Sequence, residues 1–85
     1  MPPYREAFAA GTSVRIASRP LLEQFRAKWR YHHPLDEAQL SYGDQITTVQ
    51  EVTFYHGGDP LYTLHGIPGI WHEECLGPGP DGRAA

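Results

Sequence analysis

Alternating apolar and polar positions predict several short β strands in this chain. In residues 12–18, Val14 and Ile16 fall on one side of the alternation and Arg15 falls on the other. This two-residue period is typical of a strand with one buried face. Further segments rich in β-branched and aromatic residues predict later strands at 45–56, 61–65 and 70–72.

One segment has the period of an amphipathic helix instead. Leu22, Phe25 and Trp29 recur at spacings of three and four residues, and Ser18 is a suitable N-cap. The spacing predicts a helix over about 19–30, with the three apolar side chains facing the core.

Turn signals separate the strands. Glycines 57–58 predict a hairpin turn, and the Ile-Pro-Gly sequence at 67–69 predicts a second tight turn. The imperfect alternation after residue 45 predicts a bulge near Gln50. Segments 35–40 and 73–76 are each predicted to form a single short turn.

Short hairpin-connected strands with one helix after the first cannot cover a large sandwich. They can close into a small barrel, which leaves fewer exposed strand edges. The predicted fold is therefore mainly β: an SH3-like barrel of four or five antiparallel strands. An extended lead-in (1–10) would place Phe8 against the core, the barrel would span 11–76, and 77–85 would be a disordered tail. The predicted core residues are Val14, Ile16, Val49, Val52, Leu64 and Ile70.

Length and charge narrow the classes of function. A chain of 85 residues makes one small domain without a large enclosed active site. Its net charge is -3, although residues 19–33 carry four basic residues against one acid, a balance of +3 that leaves -6 elsewhere. The single cysteine, Cys75, excludes an internal disulfide, and no segment has the pattern of a signal peptide or a membrane span. These features predict a cytoplasmic protein.

The order of motifs has a counterpart in a known family. A Gly-x-x-Val-Arg strand is followed by a His-Pro loop, a Gly-flanked strand, a Leu-Tyr strand and a Trp. The residues concerned are Phe8, Gly11, Val14, Arg15, His33, Pro34, Tyr42, Gly43, Leu61, Tyr62 and Trp71. Over roughly 8–76 this order resembles the SH3-like C-terminal domain of nitrile hydratase beta subunits. The resemblance implies an accessory module of a hydro-lyase that packs on a partner enzyme, rather than a complete hydratase.

Aromatic, imidazole and acidic residues near the predicted barrel mouth are the candidate binding surface. The inserted helix and the following loop, the hairpin at 55–59 and the last strand would bring them together at the barrel mouth. The candidates are Trp29, Tyr31, His32, His33, Tyr55, His56, Asp59, Trp71 and His72. Such residues dominate interface energetics when a partner buries them, so we expect a protein partner or a second copy of the chain to cover this face.

A metal site or an active thiol is the alternative. Imidazole and thiolate together suit zinc or copper, and His72 and Cys75 are three residues apart. The remaining ligands would have to come from His56, His65, Asp59 or the pair His32 and His33. Cys75 paired with His72 or His56 is also a candidate nucleophile. The competing interpretation is that Cys75 is a small buried apolar residue. We therefore predict no cofactor, with zinc, copper or iron as the alternative.

A third hypothesis is nucleic-acid binding. Residues 25–34 interleave basic and aromatic side chains, a pattern that can hold phosphate and stack bases. Phe25 and Trp29 belong to the core-facing stripe, however, and the net negative charge opposes the approach of a polyanion. Nucleic acid is therefore disfavoured as a partner.

Overall fold

A computed structural model describes residues 6–56 and 58–79 of the chain. Within these ranges the chain forms five strands, one α helix and two short 3-10 helices, labelled η. Their order is β1 (Ser13–Ile16), α1 (Arg19–Lys28), η1 (Glu37–Tyr42), β2 (Ile46–Phe54), β3 (Pro60–Leu64), β4 (Ile67–His72), η2 (Glu73–Cys75) and β5 (Leu76–Pro78). In the described part of the chain, no helix has the length and apolar character needed to cross a membrane.

The strands form one barrel-like sheet in the order β4-β3-β2-β1-β5, and all neighbouring strands are antiparallel. Strands β2, β3 and β4 follow one another as hairpins, while β1 pairs with both β2 and β5. The fold class predicted from the sequence is confirmed: the protein is mainly β, and its helix follows the first strand.

The predicted bulge in β2 is confirmed. The pairing of β2 with β3 changes register between Val49 and Glu51, so that the extra residue is Gln50. Because the bulge interrupts the alternation, Val49 is fully buried and Val52, three residues later, also packs against the core.

The predicted turn at 67–69 is wrong. Ile67 is already in β4 and pairs with Leu64, so the chain reverses at His65 and Gly66. Gly66 has a φ of 74°, a left-handed conformation that glycine adopts without a steric penalty. The turn therefore lies two residues before the Pro-Gly sequence that was expected to form it.

The sheet also extends past the predicted barrel boundary at residue 76. In β5, Gly77 pairs with Arg15 and Pro78 pairs with Val14. Because β5 lies at the edge of the sheet, a proline that cannot donate a ladder hydrogen bond is tolerated there. Residues 80–85 of the predicted tail, residues 1–5 of the lead-in and Gly57 of the predicted hairpin turn lie outside the described residues.

The core joins the sheet to the helical segments. Its buried members are Val14, Ile16, Leu22, Phe25, Leu35, Leu40, Val49, Tyr62, Leu64, Ile67, Trp71, Cys75 and Leu76. Of the predicted core residues, all are in or against this cluster except Ile70, which is only half-buried. Phe8 packs on the core as predicted, and its ring meets Tyr62 edge-on at a centroid distance of 6.0 Å.

A backbone hydrogen bond closes the end of α1, and a buried side chain joins η1 to the sheet. Helix α1 ends at Lys28, and Trp29 then has an extended backbone while its N–H still donates to the Phe25 carbonyl. In η1, the buried Gln39 side chain accepts from the Asp36 N–H at 2.8 Å and donates to the Ile70 carbonyl at 3.1 Å. Gln39 thus joins η1 to β4.

Candidate functional site

Among the residues that the structure describes, eight aromatic and imidazole side chains gather at one end of the sheet. They come from the end of α1, the loop that follows it, the connection between β2 and β3, and the last residue of β4. The members are Phe25, Trp29, Tyr31, His32, His33, Tyr55, His56 and His72. We call this group the ring cluster.

The rings are in continuous contact. His32 stacks on Tyr55 with centroids 3.8 Å apart and an interplanar angle of 11°. Trp29 stacks on Phe25 at 5.1 Å and contacts the His72 ring at 4.7 Å. Contacts of this kind contribute stability beyond the effect of the area they bury, so they stabilise the relative positions of the rings.

Two side chains fasten the loop after α1. The Trp29 indole Nε1 donates to the His32 carbonyl at 2.7 Å, and His72 Nε2 donates to the His33 carbonyl at 2.8 Å. A carbonyl only accepts, so neutral His72 carries its proton on Nε2. His33 has a φ of 51°, which is uncommon for a residue other than glycine. The two hydrogen bonds stabilise this loop conformation against its backbone strain.

His72 is held in its neutral form. Burial lowers its pKa from the ordinary value of 6.5, and the neighbouring His32 and His33 lower it further, while the bond to the His33 carbonyl opposes the shift. The group that fastens the loop therefore acts as an uncharged hydrogen-bond donor at neutral pH.

The lowered pKa of His72 predicts that stability falls in mild acid. The unfolded chain, in which a histidine titrates near 6.5, binds the proton before the folded chain does. The free energy of unfolding should therefore decrease as the pH falls below about 6.5. His72→Gln retains a donor and does not titrate, so urea unfolding at pH 7.5, 6.5 and 5.5 should show a smaller decrease for the variant. Equal pH dependence in both proteins would contradict this role of His72.

A cleft of about 210 Å³ lies against the ring cluster. Its lining combines aromatic, imidazole and acidic side chains: Phe25, Trp29, Asp59, Pro60, His72, Glu73 and Glu74. Asp59 Oδ2 lies 3.6 Å from His32 Nε2, which is beyond hydrogen-bond distance. That buried nitrogen has no hydrogen-bond partner among the described residues. The cleft is the concave part of the site.

Glu73 connects the cleft to the N-terminal segment. Its Oε2 accepts from the Tyr62 hydroxyl at 2.8 Å and from the Ala7 N–H at 2.7 Å. Burial, together with the hydrogen bond to Glu73, raises the pKa of Tyr62 to about 12. The Tyr62 hydroxyl therefore remains a donor at neutral pH and fixes the position of the Glu73 carboxylate.

The structure brings together all the predicted binding residues except Trp71. Asp59 joins them in the cleft, whereas Trp71 is 0% exposed, lies in the core and donates through Nε1 to the Pro68 carbonyl at 3.3 Å. Trp71 is therefore a core residue and not part of the binding surface. The prediction did not include Phe25, Glu73 and Glu74. Phe25 was predicted to face the core. The sequence signal for the acidic part of the cleft was the pair of glutamates directly after His72.

Most of the candidate metal ligands lie in the ring cluster or its cleft, namely His32, His33, His56, His72 and Asp59. The candidate nucleophile Cys75 lies in the core instead, and His65 lies in the turn between β3 and β4. Cys75 is 1% exposed, and burial, together with the charge of Glu74, raises its pKa to about 12, so the thiol is protonated at neutral pH. His56 is exposed at the edge of the ring cluster, and His65 Nδ1 is hydrogen-bonded to Thr48 Oγ1 at 2.7 Å. Within 6–56 and 58–79, no group of three or more His, Cys, Asp or Glu residues could hold a metal ion.

Comparisons of the chain with protein families, with curated proteins and with solved structures found no match. The assignment of the site therefore depends on its geometry and chemistry.

Proposed function

We propose that this chain is an interaction module that docks onto a partner protein through the ring cluster. The observation that carries the proposal is the gathering of aromatic and imidazole rings around Trp29, with Tyr31 71% exposed beside it. Tyrosine and tryptophan are enriched among the residues that contribute most to binding at protein interfaces.

The way the loop is held also favours docking. The hydrogen bonds from Trp29 and His72 fix the loop that carries Tyr31, so a partner meets a surface that is already ordered. Binding to an ordered surface avoids part of the conformational entropy cost of association.

Other features disfavour a nucleic acid as the partner. Phe25 and Trp29 stack on each other, and the carboxylates of Asp59, Glu73 and Glu74 line the adjacent cleft. A polyanion would be repelled at the point where its bases would have to stack. For the alternative metal or thiol function, the buried Cys75 lacks the low pKa of a reactive thiol.

The resemblance to nitrile hydratase beta subunits suggests which partner to test first. We propose an accessory role on a hydro-lyase of that type in the cytoplasm, where a chain with a single cysteine does not depend on a disulfide. The strand order around β1 supports an SH3-like barrel as the scaffold. The alternative partner is a second copy of the chain.

Docking through the ring cluster predicts a specific loss of binding in a surface variant. Tyr31→Ala with His56→Ala removes two exposed rings and leaves the core unchanged. Gln45→Ala with Glu51→Ala, at exposed positions outside the cluster, is the matched control. Two interface residues of this kind should together weaken binding by about 10- to 100-fold.

The measurement has two steps. First, the wild-type chain is used to capture binding proteins from a lysate of its source organism, and these candidates are identified. Second, each candidate is purified, and its affinity is measured for the wild type, for the Tyr31→Ala and His56→Ala double variant (the ring variant) and for the control. Light scattering on the same proteins tests self-association. A monomeric chain whose ring variant binds every candidate as well as the control does would refute the proposal.

A further inference from the structure

We infer that the cleft beside the ring cluster receives an arginine side chain presented by the partner protein. This inference rests on the proposed docking function and specifies the chemistry of the occupant.

The cleft is the size of a side chain. Its volume of about 210 Å³ lies below the roughly 300–1,000 Å³ of pockets that enclose drug-sized ligands. A single long side chain inserted from a docked protein fits such a space, and the rest of that protein would cover the ring cluster.

The charge of the cleft favours a cation. Asp59, Glu73 and Glu74 line it, and the described lining includes no lysine or arginine. Glu73 uses Oε2 to accept from Tyr62 and Ala7, and the Asp59 and Glu74 side chains are exposed to an incoming group. Complementary charge of this kind guides association and fixes the orientation of the partner.

The aromatic wall favours a planar organic cation. Phe25 and Trp29 stack with an interplanar angle of 17°, and Trp29 is only partly buried. A guanidinium stacks on an aromatic face and can also donate two parallel hydrogen bonds to a carboxylate. An ammonium lacks the planar fork and is more strongly hydrated, so arginine should bind more tightly than lysine.

The lining is unsuitable for a bare metal ion. Within the described residues no three acidic or imidazole groups have a metal-binding arrangement, and the aromatic side chains supply no ligand atoms. An organic cation satisfies both the acidic and the aromatic parts of the cleft.

The test is a titration followed by NMR of the isotope-labelled full chain. The probes are capped Gly-Arg-Gly, Gly-Lys-Gly and Gly-citrulline-Gly peptides, the last being a neutral analogue of the arginine peptide. We expect the arginine peptide to shift the Trp29 indole N–H signal saturably, with a dissociation constant of about 1–10 mM. The lysine peptide should bind more weakly, and the citrulline peptide should not bind.

Variants test the origin of the signal. Asp59→Asn and Glu74→Gln should each weaken arginine binding about three- to tenfold. Glu37→Gln, an exposed acid outside the cleft, is the matched control and should leave binding unchanged. Added salt should weaken the arginine signal because these carboxylates are in contact with water.

The inference is overturned if no saturable shift occurs at Trp29, if citrulline binds as well as arginine, or if the Asp59 and Glu74 variants bind as wild type does. The peptide titration can fail in one of these ways while the Tyr31 and His56 double variant still loses partner binding. In that case the arginine inference is wrong and the docking proposal stands. Arginine binding without a partner that depends on Tyr31 and His56 would mean that the docking proposal had failed instead.

Discussion

Substitution of Trp71 by alanine is expected to lower the free energy of unfolding by about 3–5 kcal/mol. Trp71 is fully buried and has the largest volume among the fully buried side chains of the described residues. Small domains have total stabilities near the lower end of about 5–15 kcal/mol, so this loss would leave the fold marginal. The cost arises because the removed indole leaves a cavity that its neighbours fill only in part.

Urea unfolding followed by fluorescence measures this loss. The chain has two tryptophans, so Trp29 remains as the reporter when Trp71 is replaced. Trp71→Phe should lose less stability because it fills more of the space, and Tyr31→Ala, at an exposed position, should change stability by about 0.5 kcal/mol or less. Similar unfolding midpoints for Trp71→Ala and Tyr31→Ala would show that Trp71 is not a core residue.

The error at Trp71 shows the limit of reading a strand from its sequence. Adjacent residues of a strand face opposite sides, so the face assigned to Trp71 depends on the register of β4. Ile70 was predicted to face the core and Trp71 to face a partner. The turn at His65 and Gly66 brings Ile67 and Trp71 into the core instead. Gly66 and Gly69 can each form a turn, and only the pairing of β4 with β3 shows that the chain reverses at Gly66.

Segments with a strong period were predicted well. The alternation around Val14 and Ile16 and the helical stripe of Leu22 and Phe25 each fix a buried face without tertiary information. Strand β5 was not predicted, because the Gly-Pro sequence after Leu76 has no intrinsic preference for a strand. It pairs only because β1 offers an open edge beside it.

The composition of the site could be predicted better than its geometry. Loops at one end of a barrel were expected to bring Trp29, His32, Tyr55 and Asp59 together, and they do. The sequence could not show that the His72 imidazole is buried and donates to a backbone carbonyl 39 residues away in sequence. That contact depends on how the loop after α1 folds back over β4.

Gly43 is the position where the sequence and the structure give opposite expectations for a single methyl group. From the sequence, Gly43 marks a turn before β2. Its φ of -54° is one that any residue adopts, so Gly43→Ala would on that basis stabilise the fold by about 0.4–1 kcal/mol by restricting the unfolded chain. Packing reverses this expectation.

A Cβ atom at Gly43 would lie 2.7 Å from the Arg19 backbone nitrogen and 3.3 Å from the Ala17 carbonyl oxygen. These main-chain atoms lie at the first residue of α1 and in the segment just before it, and they cannot move aside as a flexible side chain can. Either α1 or the turn at Gly43 must shift, and we expect Gly43→Ala to lower the free energy of unfolding by about 1–3 kcal/mol.

The matched control for this substitution is Gly77→Ala. A Cβ atom at Gly77 in β5 meets nothing within 4 Å, so this variant should be as stable as wild type or slightly more stable. Because α1 carries Phe25 and ends beside Trp29, a shift at its start should also move the Trp29 indole N–H signal in Gly43→Ala and not in Gly77→Ala. The prediction is contradicted if both variants have equal unfolding midpoints and unchanged Trp29 signals. Gly43 would then be needed only for the turn. Helix α1 would not pack closely enough against Gly43 for this contact to position the aromatic wall of the cleft.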